Sequence, residues 1–124
     1  MKKSLFILLF ILVSLTFSSC SKDASINRKI DGEWNVVTID GEPLDGLESY
    51  VFKFNKDKSL TGDGTINISW GASTLVSSFT YSVADEKIIC VLDGDVEVFS
   101  ILTLERKKLA LLDSDNSIWV LEPK

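Results

Sequence analysis

The chain has 124 residues, with 18 acidic and 13 basic side chains, a formal net charge of −5 and no histidine. This acidic balance argues against nucleic-acid binding, which needs clustered Lys and Arg; the one basic run, residues 106–108, lies between two strand patterns. Without histidine, a serine nucleophile lacks its usual base and zinc lacks its commonest nitrogen ligand. We therefore expect no enzyme activity, no cofactor and no metal site.

The first residues have the pattern of an export signal. Lys2 and Lys3 precede an apolar run from Leu5 to Val13, which is shorter than the roughly 20 residues that span a bilayer. Two serines then stand directly before Cys20. Small side chains before a cysteine suit entry of the peptide into a peptidase site, and a thiolate is a nucleophile that can be alkylated.

The segment that ends at Cys20 resembles the lipobox of bacterial lipoproteins. The resemblance implies that residues 1–19 are a signal peptide and that Cys20 receives a lipid which anchors the protein in the membrane. Because Ser21 rather than Asp follows the cysteine, the resemblance also implies an outer-membrane lipoprotein of the cell envelope. Several acyl chains together would make such an anchor effectively permanent.

Residues 20–30 are predicted to be the lipidated cysteine and a tether, and residues 31–124 to be one domain. The tether carries few large apolar groups, although Ile26 and Ile30 docking on the domain is an open alternative. If Cys20 is lipidated, Cys90 has no partner for an internal disulfide. The apolar neighbours of Cys90 predict a buried, unreactive thiol.

From Gly32 onward the pattern has the period of β-strands, and Asp-Gly dipeptides mark chain reversals. We predict eight strands, at about residues 33–39, 49–55, 65–70, 75–84, 87–92, 96–105, 108–112 and 118–122. No helix is predicted beyond a single turn after Pro43. The short connections favour an all-β, antiparallel up-and-down β-barrel, with a β-sandwich as the alternative.

Alternation along these strands predicts a set of inward aromatic side chains: Trp34, Tyr50, Phe52, Phe54, Trp70, Phe79 and Tyr81. All of these except Trp34 are candidates for the lining of a ligand pocket. A barrel of about eight strands is either filled by its own side chains or holds one small ligand. Both alternatives remain open: a filled core, or a pocket for a small hydrophobic ligand.

The fifth and sixth predicted strands are apolar on both faces. A three-residue loop over residues 93–95 would place four large apolar side chains together on one outer face: Ile89, Val91, Phe99 and Ile101. A solvated barrel wall does not usually expose such a group, so we expect this face to be covered. A partner protein, a second subunit, or Ile26 and Ile30 folding back are the alternatives.

The sequence Gly32-Glu33-Trp34 on the first strand and Phe52-Lys53-Phe54 on the second, followed by further short strands, resembles the lipocalin-like domains of small bacterial lipoproteins. The resemblance implies that Gly32 allows a tight entry into the first strand and that Trp34 plugs the closed end of the barrel.

Residues 93–95 and 113–117 are acidic, but hairpin turn chemistry explains both segments better than a calcium site does.

The sequence therefore predicts a lipid-anchored envelope lipoprotein whose domain binds without catalysing. The expected partners are the membrane, through the lipid, and a small hydrophobic ligand. The alternative function is a protein-protein interaction or structural module of an envelope complex, which would use the apolar outer face.

Overall fold

The computed structural model describes residues 22–44, 46 and 49–124. The predicted signal peptide, residues 1–19, and the predicted lipidation site, Cys20, lie outside the described residues. Within the described part of the chain, no helix is both long enough and apolar enough to cross a membrane.

One helix, α1 (residues 22–30), precedes nine described strands. The strands are β1 (Gly32–Ile39), β2 (Glu42–Pro43), β3 (Ser49–Lys56), β4 (Thr61–Trp70), β5 (Ser73–Ala84), β6 (Lys87–Leu92), β7 (Asp95–Glu105), β8 (Lys108–Leu112) and β9 (Ile118–Pro123). Apart from the short β2, which pairs with the end of β1, every strand pairs antiparallel with its neighbours in the chain, and β9 pairs back with β1.

Eight strands thus close into an antiparallel barrel, and β2 is an extra strand on β1. The predicted all-β, up-and-down barrel of lipocalin-like architecture is confirmed. The β-sandwich alternative is wrong, because one continuous sheet closes on itself through the β1–β9 pairing. Closure leaves the barrel with two distinct ends.

The tether prediction is wrong for residues 22–30, which form α1, and the docking alternative describes them correctly. Asp23, Ile26, Asn27 and Ile30 are buried, and their spacing places them on one face of the helix. The side-chain amide of Asn27 donates to the backbone oxygens of Lys58, Ser59 and Thr61 at 3.0, 3.2 and 3.1 Å. The carboxylate of Asp23 accepts the backbone N–H groups of Asp85 and Glu86, each at 3.1 Å.

Helix α1 forms hydrogen bonds to the β3–β4 and β5–β6 turns and therefore covers the end of the barrel at which these turns lie. We call this the closed end. Trp34 is buried there, and its indole N–H donates to the backbone oxygen of Ile30 at 2.9 Å. Ile30 is the last helical residue, so this bond satisfies a carbonyl group that the helix itself leaves free.

Strand β4 begins four residues earlier than predicted, since the Asp63-Gly64 dipeptide lies inside the strand and not in a turn. A Cβ atom added at Gly64 would collide with the backbone oxygen of Lys53 and the ring of Phe79. One added at Gly62 would meet the Tyr81 ring in the same way. The two aromatic rings pack directly over the backbone of Gly62 and Gly64. This part of the barrel wall therefore has no room for a side chain at either position.

Candidate functional site

The end of the barrel opposite α1, which we call the open end, contains a cavity of about 350 Å³. The β1–β2, β4–β5, β6–β7 and β8–β9 connections lie at this end. The apolar lining of the cavity includes Tyr50, Phe52, Ile66, Phe79, Leu92, Phe99 and Trp119. Its volume lies within the range of about 300–1,000 Å³ that is typical of small-molecule sites.

Aromatic rings form the floor of the cavity. The ring of Trp119 lies 5.5 Å from that of Tyr50 and 6.0 Å from those of Phe52 and Phe99, and all three contacts are edge-on. Edge-to-face contacts at these distances are the favoured arrangement for aromatic pairs. The floor is therefore formed by rings that hold one another in place.

The β8–β9 loop fixes the position of Trp119. The indole N–H of Trp119 donates to Asp113 Oδ2 at 2.8 Å. Asp113 Oδ1 accepts the backbone N–H groups of Asp115 and Ser117 at 3.0 and 2.8 Å. Partial burial opposes ionisation of Asp113, but these three hydrogen bonds outweigh it and lower the pKa of the carboxyl group. Asp113 is thus a charged group that orders the loop and orients the indole.

Glu97 connects strand β7 to the same loop. It pairs with Cys90 of the neighbouring strand β6 and lines the cavity. One of its carboxylate oxygens accepts both the backbone N–H and the hydroxyl group of Ser114, at 3.2 and 2.8 Å. Four carboxylates line the cavity: Asp95, Glu97, Asp113 and Asp115. We call them the rim carboxylates.

Cys90 faces the cavity and is buried, as its apolar neighbours predict. Burial, with a smaller contribution from the charge of Glu97, raises the pKa of the Cys90 thiol to about 12. The thiol therefore stays protonated at neutral pH, and a protonated thiol is not a nucleophile.

Of the six predicted pocket residues, the structure brings Tyr50, Phe52 and Phe79 together in the cavity. Phe54 and Tyr81 are buried outside its lining, and the Tyr81 hydroxyl donates to Asn27 of α1 at 2.7 Å. The pocket prediction is therefore wrong for these two residues, which belong to the core near the closed end.

The prediction that Trp70 points inward is also wrong, because this side chain is 41% exposed. Trp70 pairs with Ser73 at the tip of the β4–β5 hairpin, beyond Ser69, the last residue of β4 that pairs with β3. Strand β6, the other neighbour of the hairpin, pairs with β5 only from Thr80 onward. The hairpin therefore extends past both neighbouring strands and carries Trp70 out of the barrel.

The predicted interaction face is half correct, because the turn between β6 and β7 has two residues rather than three. Asp93 and Gly94 both have positive φ, at 50° and 83°, and Leu92 pairs with Asp95. A shift of one residue in register moves the side chains of a strand to the opposite face. Phe99 therefore pairs with Ile88 and is buried in the core, and Ile101 packs against the core as well.

Ile89 and Val91 do lie on the outer face, where they pair with Val98 and Val96. We call Ile89, Val91, Val96 and Val98 the outer aliphatic patch. Val91 and Val96 are 39% and 61% exposed. Helix α1 does not cover this patch, since its buried residues pack at the closed end.

The sequence prediction missed two important groups of the cavity. Trp119 shares a strand face with the buried Leu121, two residues later, and this alternation is the signal that would have found it. Glu97 could have been found only by assuming the two-residue turn, which places it beside Cys90.

Among the residues that the structure describes, no three His, Cys, Asp or Glu side chains come close enough together to hold a metal ion. The rim carboxylates are thus spread around the cavity mouth.

Comparisons of the chain with protein-family models, with curated proteins and with solved structures found no match.

Proposed function

We propose that the protein is an outer-membrane lipoprotein of the cell envelope whose barrel binds a small, largely apolar ligand without transforming it. The observation that carries the binding proposal is the cavity of about 350 Å³ with an aromatic floor at the open end of the barrel. Small-molecule sites are usually concave and mostly apolar, with a few polar groups that orient the ligand.

Two further features favour binding in this cavity. The rings of Trp119, Tyr50 and Phe52 already contact one another, and Asp113 holds the indole, so that little order has to be gained when a ligand enters. The protonated Cys90 thiol offers no nucleophile. The site therefore suits the holding of a ligand better than catalysis.

Calorimetric titration with tryptophol, a neutral indole alcohol, tests the binding proposal. The full-length chain carrying Cys20→Ser should bind it in the cavity, and adding Trp119→Ala should weaken binding at least about tenfold, because burial of an aromatic contact is lost. Trp70→Ala is the matched control, since Trp70 lies on the exposed hairpin. Equal effects of the two substitutions in folded proteins would contradict the proposal.

The lipid anchor is supported by the order of features before the domain: two lysines, a short apolar run, two serines and Cys20. Cys20→Ser should move the protein from the membrane fraction to the soluble fraction and abolish labelling by a radioactive fatty acid. Cys90→Ser is the control and should leave both unchanged. A Cys20→Ser protein that stays in the membrane fraction and keeps its label would refute the anchor.

A second candidate function is supported by the outer aliphatic patch. Val91 and Val96 are directly paired and both are exposed, which forms an apolar surface on the barrel wall. Exposed apolar groups that adjoin one another often mark protein-protein contacts. The alternative is therefore an interaction module of an envelope complex that uses this face.

A further inference from the structure

We propose that the ligand of the cavity is an organic cation: a small apolar body that carries a protonated amine or a quaternary ammonium group. The inference rests on the proposed function, since it names the chemical class that the same cavity takes. It follows from the combination of an aromatic floor with the charges around the mouth.

The first observation is the composition of the cavity itself. Its described lining contains the four rim carboxylates, Asp95, Glu97, Asp113 and Asp115, and no Lys or Arg. An anionic ligand would therefore meet like charges without a compensating partner. A cation would find negative charge at the mouth and apolar surface below it.

The second observation is the distribution of charge over the whole barrel. The described parts of the open-end connections carry Asp40, Asp93, Asp113 and Asp115, and no described residue in these connections is basic. The described Lys and Arg residues lie in α1, in the closed-end turns, within strands, or at position 124. Acidic residues lie at the closed end as well, in α1 and in the β3–β4 and β5–β6 turns, so that charge there is mixed. The described open-end connections are acidic without basic neighbours, and this local charge attracts cations to the open end and raises their association rate.

The third observation is the hydrogen bonding of the rim carboxylates. Asp113 and one oxygen of Glu97 are engaged with the β8–β9 loop. In the described part of the chain, no hydrogen bond reaches the carboxylate oxygens of Asp95 or Asp115, or the second oxygen of Glu97. Within the described chain, these oxygens can therefore accept N–H groups from a ligand.

The aromatic floor completes the match to a cation. A charged nitrogen within about 6 Å of a ring is attracted to its face, most strongly for Trp. Trp119 and Tyr50 line the same cavity as the rim carboxylates. The apolar body of the ligand would fill the floor, and its ammonium group would lie between the rings and the carboxylates.

Three ligands that share an indole body but differ in charge test the inference: tryptamine, tryptophol and indole-acetate. We expect the full-length Cys20→Ser chain to bind tryptamine about tenfold more tightly than neutral tryptophol and to bind anionic indole-acetate most weakly. Raising the ionic strength should weaken tryptamine binding and leave tryptophol binding unchanged.

Two double variants with the same change in net charge locate the effect. Asp95→Asn with Asp115→Asn should weaken tryptamine binding about three- to tenfold and leave tryptophol unaffected, because no described side-chain hydrogen bond is lost. Glu105→Gln with Glu122→Gln is the control, since both side chains are exposed and lie outside the cavity lining. This control pair should bind all three ligands as the parent chain does.

Each outcome decides between the proposals. Binding of tryptophol without any preference for tryptamine would overturn the cation inference and leave the proposed cavity function standing. Tryptamine binding that is as tight after the loss of Asp95 and Asp115 as before would overturn the role of these two rim carboxylates. If none of the three ligands binds, the proposed function fails together with the inference.

Discussion

The hydroxyl group of Tyr81 donates a hydrogen bond of 2.7 Å to the side-chain oxygen of Asn27, which lies 54 residues earlier in the chain. Both side chains are buried, and the other end of the Asn27 side chain donates to three backbone oxygens near the β3–β4 turn. This bridge joins α1 to the barrel. Its polar groups are fully paired, which is the condition under which a buried amide stabilises a fold.

We expect Tyr81→Phe to lower the free energy of unfolding by about 1–3 kcal/mol, because it leaves the buried side-chain oxygen of Asn27 without a donor. Urea denaturation measures the change. Tyr50→Phe is the matched control, since Tyr50 is only half-buried and has no hydrogen-bond partner among the described residues. Equal effects of the two substitutions would show that the bridge does not stabilise the closed end.

Gly64→Ala should destabilise the barrel by about 2–3 kcal/mol, because the new methyl group would collide with the Lys53 backbone oxygen and the Phe79 ring. Thermal unfolding is the measurement. Gly71→Ala provides the comparison: Gly71 has open space around it but a φ of 57°, so that only backbone strain of about 1 kcal/mol is expected. If Gly64→Ala destabilised the protein less than Gly71→Ala does, the close packing of Phe79 over Gly64 would be contradicted.

Asp113→Asn should lower the free energy of unfolding by about 0.5–1 kcal/mol at neutral pH, a modest value because the side chain is half-exposed. The pKa of Asp113 in the folded state lies below its ordinary value of 3.8, so the folded state favours the carboxylate. The contribution is therefore fully present above about pH 4 and is lost as the pH falls through the lowered pKa.

Urea denaturation of both proteins over a range of pH measures this linkage. The difference between the parent chain and Asp113→Asn should shrink as the solution is acidified below the ordinary pKa. Asp115→Asn is the control and should lower the free energy of unfolding at neutral pH by less than Asp113→Asn does, since the Asp115 carboxylate accepts no hydrogen bond within the described chain. A difference that grew in acid would contradict the role of Asp113.

Replacing both Val91 and Val96 by Lys tests self-association through the outer aliphatic patch, which is one form of the second candidate function. The two side chains are exposed, so the fold should keep its stability to within about 0.5 kcal/mol. If the outer aliphatic patch joins two copies of the chain, the parent protein sediments as a dimer and the double variant as a monomer. A parent protein that is already monomeric would remove self-association as the purpose of the patch.

The strands were predictable because alternation of side chains is a local property of the sequence. The register of β6 and β7 was not, since a turn of two or of three residues can begin at Asp93-Gly94, and the choice decides whether Phe99 faces the core or the solvent. The exposure of Trp70 was hidden for a similar reason. It depends on how far the β4–β5 hairpin extends past its neighbours, which no single strand reveals.

Helix α1 was missed because half of its buried face is polar. Ile26 and Ile30 alone form too short an apolar pattern, and Asp23 and Asn27 are read as solvated residues in a sequence. Their partners are backbone groups 31 to 63 residues away, which become neighbours only when the barrel closes. The cavity was missed for the same reason. Strand pairings that the sequence does not specify bring Glu97 and Trp119 next to the other rings of the floor.

The open end of the barrel should bind a small ligand, and the three tryptophans of the chain report on such binding from three different places in the fold. Trp34 is buried at the closed end, Trp70 lies on the exposed hairpin and Trp119 lines the cavity. The measurement is a titration with tryptophol of the nitrogen-15-labelled, full-length Cys20→Ser chain, followed through the indole N–H signals in the NMR spectrum. We predict that the Trp119 signal shifts in a saturable way while those of Trp34 and Trp70 stay in place; no saturable shift at Trp119, or a larger shift at Trp70, would contradict the claim.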